Sequence, residues 1–289
     1  MGQVSGHLRR ETKELMFLLD STSLTLKGRE FDRWTLDNKT RNTQGMKLHV
    51  LLESSTQTPS WTRFSAANVN DVELAAEVPL QKGAVYVFDK GYCDYNWWHE
   101  ISVAGARFVT RFKYNAGLRA VEKCVVPLED QDIVLADEIV QFKSRRPSGK
   151  RINQHFDKPL RRVTIMRPDK PTPLVLATND FSASAREIAQ RYKDRWAIEL
   201  FFKWVKQHLK IKKFLGRTEN AVRIQVLTAL ISYLLVAIHK QRHNLKQSLW
   251  DCLCLVRAAM FQPFDREDSS YRRRRRAAAY AAEMQGGLF

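Results

Sequence analysis

The sequence predicts an α/β fold, a core of buried strands and helices into which a β subdomain is inserted ahead of a long helical region. Three observations predict it. Two continuous apolar runs, Leu15–Leu19 and Ala84–Phe88, each stop at an aspartate, Asp20 and Asp89, as strands buried on both faces do when they end at a cleft. Between residues 113 and 180 short strand-like runs succeed one another without a helical period. From Ser184 onward the apolar period becomes helical.

In order along the chain, residues 1–13 form a polar extension. Leu15–Leu19 is the first strand, and Asp20 either closes it facing a cleft or opens a turn with Ser21 and Thr22. Residues 27–46 carry Gly28, Asn38, Asn42 and Gly45 and read as a long loop, or a loosely paired edge, entering a second strand, Lys47–Leu52. His49 alternates within that strand as a structural histidine. A third strand, Trp61–Phe64, follows a turn at Pro59, and Asn70 caps a helix over Asp71–Val78. The strand ending in Asp89 is broken by Lys90-Gly91. A helix over Asp94–Ala104 and a strand over Arg107–Phe112 complete the first part of the core, residues 14–112.

Residues 113–180, the inserted β subdomain, hold strands at Val121–Pro127, Ile133–Val140, Val163–Met166 and Leu174–Thr178, with an exposed tip around Gly149. Residues 181–262 are helical. Ser184 with Glu187 three residues later forms a capping box, Gly216 marks a break, and a second helix spans Asn220–His239. His239 and His243 share a helix face but have no third ligand nearby. Residues 263–289, with five arginines from Arg272 to Arg276, read as a basic disordered tail that binds DNA or is read-through sequence.

Composition bounds the function. The chain has 289 residues, 44% hydrophobic, enough for one large core or two modest ones. Lys+Arg 48 against Asp+Glu 31 gives a net charge of +17, a balance suited to polyanionic partners or to a basic surface kept for solubility. No secretory apolar segment stands at the N-terminus. The four cysteines have neither C-x-x-C nor zinc spacing, so a reduced, cytoplasmic chain is expected. The apolar run Val226–Ile238 is shorter than the ~20 residues a bilayer requires, so it reads as a buried helix and no membrane partner is expected.

The most informative stretch is RYKDRWAIELFFKWVKQHLKIKKFL, from Arg191. On one helix, Tyr192, Arg195, Glu199, Lys203 and Lys206 fall within an arc of roughly 80°, surrounded by apolar positions. Such a polar stripe is either a solvated edge with Arg195/Glu199 and Glu199/Lys203 pairs or the lining of a site. The spacing of Tyr192, Arg195, Glu199 and Lys206 resembles the Y-R-E-K signature of bacterial insertion-sequence DDE transposases of the insertion-sequence-four class. The LDST run at Asp20, the K-L-H strand at Lys47–His49 and Asp-x-Gly-Tyr at Asp89–Tyr92 resemble the same family's other segments. The resemblance covers about residues 14–262.

The resemblance implies a ribonuclease H-like catalytic core with the β subdomain inserted before the glutamate-bearing helix. It makes Asp20, Asp89 and Glu199 the ligands of two Mg²⁺ ions, for which Mn²⁺ can substitute. Arg195, Lys206, Tyr192 and Lys203 would then hold DNA phosphates, and Trp196 would stack on a base or pack in the core. It implies as partners the double-stranded ends of an insertion element and target DNA, a homodimer in the synapsed state, and a nucleoid-associated location. Family members carry a helical DNA-binding region ahead of the first aspartate, so the chain is expected to be truncated at its N-terminus. The alternatives are a catalytically silent DNA-binding remnant and a metal-dependent nuclease.

Overall fold

The structure, a computed structural model, describes residues 14–38, 43–147, 151–167, 170–209, 211 and 213–260. The expected extension 1–13, the tip at Gly149 and the tail 263–289 lie outside the described residues. The chain divides into two compact units, with the boundary after Leu234.

The apolar runs read from the sequence form the middle of a ten-stranded sheet. β1 (Met16–Thr25) runs parallel to β5 (Val85–Phe88), which runs parallel to β6 (Arg107–Arg111). Side chains alternate between the faces of a strand. Phe17, Leu19, Tyr86, Phe88 and Phe108 therefore share one face, where Trp97, Trp98 and Ile101 of helix α1 (Tyr95–Val103) bury them. The N-terminus of α1 is closed by Asp94, whose carboxylate accepts from Asn96 N at 2.9 Å and Trp97 N at 3.4 Å.

β2 (Leu36–Asn38), β3 (Thr43–Glu53) and β4 (Thr58–Ala66) build outward from β1, with β3 antiparallel to it. Pro59 lies inside β4 rather than in a turn before it, opposite Leu52 at an irregularity in the β3 pairing. An edge strand tolerates the missing N–H there. The segment Asp71–Glu77 is a 3₁₀ helix, starting at Asn70 as expected.

The strands of residues 113–180 are β7 (Leu118–Lys123), β8 (Val134–Phe142), β9 (Leu160–Arg167) and β10 (Lys170–Thr178). They extend the core sheet instead of closing one of their own. β10 pairs antiparallel with β6, from Leu176↔Arg111 to Thr178↔Val109, giving the order β2-β3-β1-β5-β6-β10-β9-β8-β7. Without β10, one edge of β6 would present unpaired backbone groups.

The other face of the sheet carries α2 (Ala185–Asp194), packed on β5, β6, β8 and β9, and α3 (Trp196–His208), packed on β1. α2 starts with the expected capping box, Ser184 Oγ accepting from Glu187 N at 3.1 Å. Its entry is fixed by Arg161, which donates bidentately to Asp137 at 2.9 and 2.7 Å and to the carbonyls of Asp180 and Ala183 at 3.1 and 2.5 Å.

Two expectations for the signature stretch fail. The signature does not lie on one helix: the run breaks at Arg195, where the backbone bonds close over three residues, Arg195 N to Tyr192 O and Ile198 N to Arg195 O. α3 is also less enclosed than its composition suggests. Ile198, Phe201, Phe202 and Val205 are buried, while Trp196 and Leu200 are 58% and 51% exposed.

After a break at Gly216, α4 (Glu219–Arg242) is longer than the apolar run within it. By length and composition it is long and apolar enough to cross a membrane, so the expectation that it is too short fails. It is not a mainly buried helix either: Val222, Val226, Ala229, Leu230 and Tyr233 are buried, but Ile224, Leu227 and Ile231 are exposed. The second unit holds the end of α4 and α5 (Leu249–Met260).

Candidate active site

The parallel pairing of β1 and β5 ends at Leu19↔Phe88. Asp20 and Asp89 are the next residue of each chain, so they stand side by side on adjacent strands. Asp20 is not at the end of its strand, because β1 continues to Thr25 against β3. Alternation gives the face: Asp20 follows Leu18, Asp89 follows Val87 and Arg111 follows Val109, all pointing away from α1 and towards α2 and α3.

Arginines hold the carboxylates there. Arg195, at the junction of α2 and α3, donates from Nη2 to Glu199 Oε1 at 2.6 Å and from Nη1 to Asp20 Oδ2 at 3.3 Å. Arg111, at the end of β6, pairs with Asp89 Oδ1. The two guanidinium carbons lie 5.7 Å (Arg195) and 5.9 Å (Arg111) from the Tyr192 ring centroid, in cation–π range. Each guanidinium retains a buried Nε without a hydrogen-bond partner.

The sequence reading missed Arg111. The available signal was the alternation Arg107-x-Val109-x-Arg111, a third buried strand ending in a charge beside the two that end in aspartates.

Of the other expected residues, Lys206 donates to the carbonyl of Ser23 in β1 at 3.0 Å, tying α3 to the strand that carries Asp20. Lys203 is exposed and Trp196 projects outward rather than packing in the core. Of the two (i, i+4) pairs expected along the stripe, the ion pairs among the described residues include Arg195–Glu199 but not Glu199–Lys203. His49 is a buried structural histidine as expected, hydrogen-bonded through both ring nitrogens.

Charge at the site is uneven. Burial pushes the Asp20 carboxyl up to about 6, with Asp89 and Glu199 adding to the rise and the Ser21 N–H and Arg195 opposing it. Burial also pushes Asp89 up, but the hydrogen bond and charge of Arg111 outweigh it and hold the carboxyl below its ordinary value. A proton is therefore retained by folded Asp20 between 3.8 and about 6 that the unfolded chain has released. Stability contributed by this group is present at the acid end of that window and is lost as pH rises through it. Expected outcome: between about pH 4 and about pH 7 the melting temperature of the metal-free wild type falls by several degrees relative to Asp20→Asn, which lacks the group.

Asp20, Asp89 and Glu199 are three hard oxygen donors on one face, a donor set that fits a divalent cation such as Mg²⁺. In the conformation described, arginines occupy that space. Among the described residues, no group of three His, Cys, Asp or Glu side chains stands close enough to hold a metal ion without rearrangement.

The family profile described as "Transposase DDE domain" matches residues 11–235. A putative transposase, y4zB, of Sinorhizobium fredii is 38% identical over 266 residues, 91% of this chain and 72% of that protein. The probable transposase for insertion sequence element IS5377 of Geobacillus stearothermophilus is 47% identical over 75 residues, 26% of this chain and 20% of that one. A putative transposase for element IS4SA of Synechocystis is 44% identical over 55 residues, 19% of this chain and 16% of that one. Among solved structures, the piggyBac transposase synaptic complex with hairpin DNA matches the fold with a TM-score of 0.50 at 10% identity, covering 87% of this chain and 55% of that chain. With the profile spanning most of the chain and a relative aligned over nearly all of it, the chain belongs to the DDE transposase domain family.

Proposed function

We propose that the chain is the catalytic domain of a DNA transposase that cuts phosphodiester bonds at the ends of an insertion sequence and joins the freed 3′ ends to target DNA. The observation that carries this reading is that Arg195 pairs with both Asp20 and Glu199 while Arg111 pairs with Asp89 across the same Tyr192 ring, under a matching family profile. The strand order β4-β3-β1-β5-β6, with α1 between β5 and β6, supports a ribonuclease H-like core. In this reading β7–β10 are the insertion that precedes the glutamate-bearing helix.

Asp20, Asp89 and Glu199 would hold the divalent cations. When bound, such ions activate the attacking oxygen and neutralise the charge on the leaving one. Released from the carboxylates, Arg195 offers a planar fork to a phosphate oxygen. Lys206 steadies α3 against β1, so that Glu199 keeps its position opposite Asp20. Tyr192, buried between the guanidiniums, orients both. Trp196, exposed beside Arg195, is placed to stack on an unpaired base, and exposed Lys203 to meet the backbone. Backbone contacts of this kind position DNA without reading its sequence.

The partners in this reading are element ends and target DNA, bound in a homodimer at the nucleoid of the cytoplasm, with Mg²⁺ or Mn²⁺ as cofactor and no membrane partner. Incubation with DNA carrying the element's ends, with Mg²⁺ or with EDTA, tests it. Mg²⁺-dependent nicks at the ends followed by joined products are expected. Nicks on any DNA without joining would identify a metal-dependent nuclease, and binding without cutting a silent DNA-binding remnant.

A further inference from the structure

β3 has an internal charge pattern that the proposed catalytic chemistry leaves unused. Lys47 and His49 lie two residues apart on the face of β3 opposite the carboxylates, 3% and 0% exposed. Burying an ammonium group there is strongly unfavourable before pairing, so its partners show what it secures. Lys47 Nζ donates to Asp71 Oδ1 at 2.8 Å and to Val69 O at 2.6 Å. Asp71, itself 9% exposed, packs its carboxylate against Gly91, where a Cβ would come within 3.3 Å of Asp71 Oδ2. His49 hydrogen-bonds Tyr92 Oη through Nδ1 and Ser65 Oγ through Nε2, both at 2.9 Å. Gly91 and Tyr92 belong to the 3₁₀ turn Lys90–Tyr92, which begins at Asp89 and is closed by Tyr92 N donating to Asp89 O at 3.0 Å.

The backbone of the same residue reaches the other aspartate. His49 pairs with Ser21 in the β1–β3 ladder, and Val50 pairs with Asp20 itself. His49 thus joins the strand that carries Asp20 to the turn that follows Asp89. The side chains of the two aspartates point to one face of the sheet and the bracing side chains to the other.

We infer that His49 and Tyr92, backed by the Lys47–Asp71 ion pair, are positioning residues that set the separation of Asp20 and Asp89 and so the affinity of the site for divalent cations. Neither residue touches DNA or metal in this assignment. His49 acts through Tyr92, and Tyr92 through the backbone of its turn. A histidine held neutral, as burial holds this one at about 4, supplies one donor and one acceptor and leaves no net charge behind the carboxylates.

The inference rests on the proposed function, and its test separates the two. Mn²⁺ binding to the full chain without DNA is measured by electron paramagnetic resonance for wild type, Asp89→Asn, Tyr92→Phe, His49→Gln, His49→Leu and His49→Leu/Tyr92→Phe. Tyr92→Phe removes one hydroxyl and keeps the ring, so it folds even if His49→Leu does not. Tyr92→Phe is expected to weaken Mn²⁺ about three- to tenfold, at or below the low end of the roughly 10–100-fold effects of outer-shell partners, because it acts through the backbone of the turn rather than on a ligand directly. His49→Leu is expected to match it, and the double variant to be no worse than either single one, because both remove the same link. His49→Gln, which keeps a donor and an acceptor, should restore part of the loss.

Salt-dependent DNA affinity should be unchanged in the His49 and Tyr92 variants. Unchanged Mn²⁺ affinity in Tyr92→Phe, with Asp89→Asn abolishing binding, overturns the positioning role and leaves the site intact. Unchanged Mn²⁺ affinity in Asp89→Asn overturns the site itself. Effects of His49→Leu and Tyr92→Phe that multiply in the double variant would show two separate packing defects and also overturn the inference.

Discussion

Replacing Glu199 with glutamine is expected, on the proposed function, to reduce metal-dependent cleavage by at least about a thousandfold, because a neutral amide would not supply the anionic oxygen that holds the cation. The fold should hardly register the change. Glu199 is 34% exposed and its partner Arg195 lies one turn away, an arrangement that contributes only about 0.3–0.5 kcal/mol. Arg195 also keeps its second contact, to Asp20. A melting temperature within a degree or two of wild type, unchanged DNA affinity by fluorescence anisotropy and absent nicking together identify the loss as chemical. Cleavage by the variant at the wild-type rate would remove Glu199 from the catalytic set.

Arg161→Ala is expected to cost about 3–5 kcal/mol of stability, read as a shift of the urea midpoint, because it strands a buried charge. Arg161 and Asp137 are 8% and 5% exposed, so Asp137 would be left without its counterion and without water. The carbonyls of Asp180 and Ala183, just ahead of the Ser184 cap, would lose their donor as well. Both losses fall on the segment that sets α2, and with it Tyr192, against the sheet. The double variant Arg161→Met/Asp137→Leu should recover much of the loss, since hydrophobic replacement of both partners removes the orphaned charge. A shift below about 1 kcal/mol for Arg161→Ala would mean that water reaches Asp137 from the surface.

Much of this architecture was legible along the chain. The apolar runs at Leu15–Leu19 and Ala84–Phe88 became β1 and β5, Ser184 capped α2, and the four strand-like runs between residues 113 and 180 became β7–β10. Asp20, Asp89 and Glu199 could be singled out because they sit in local patterns: an acid at the end of an apolar run, though β1 carries on past Asp20 to Thr25, and a glutamate at fixed spacing from a tyrosine and an arginine. Composition misled where it says nothing about neighbours. Trp196 and Leu200 are apolar yet exposed, as is one side of α4, because burial depends on whether another element covers a position.

The sequence by itself determined most of the strands and helices and the acids that close the two central apolar runs, because propensity, period and capping act within a few residues. Tertiary structure alone decided that Arg111 joins Asp89 and that Arg195 sits at a helix junction. It also decided that β10 seals β6 and that His49 ties the strand of Asp20 to the turn of Asp89. Those outcomes depend on strand register and on which face meets which, and register is fixed only when distant segments pair.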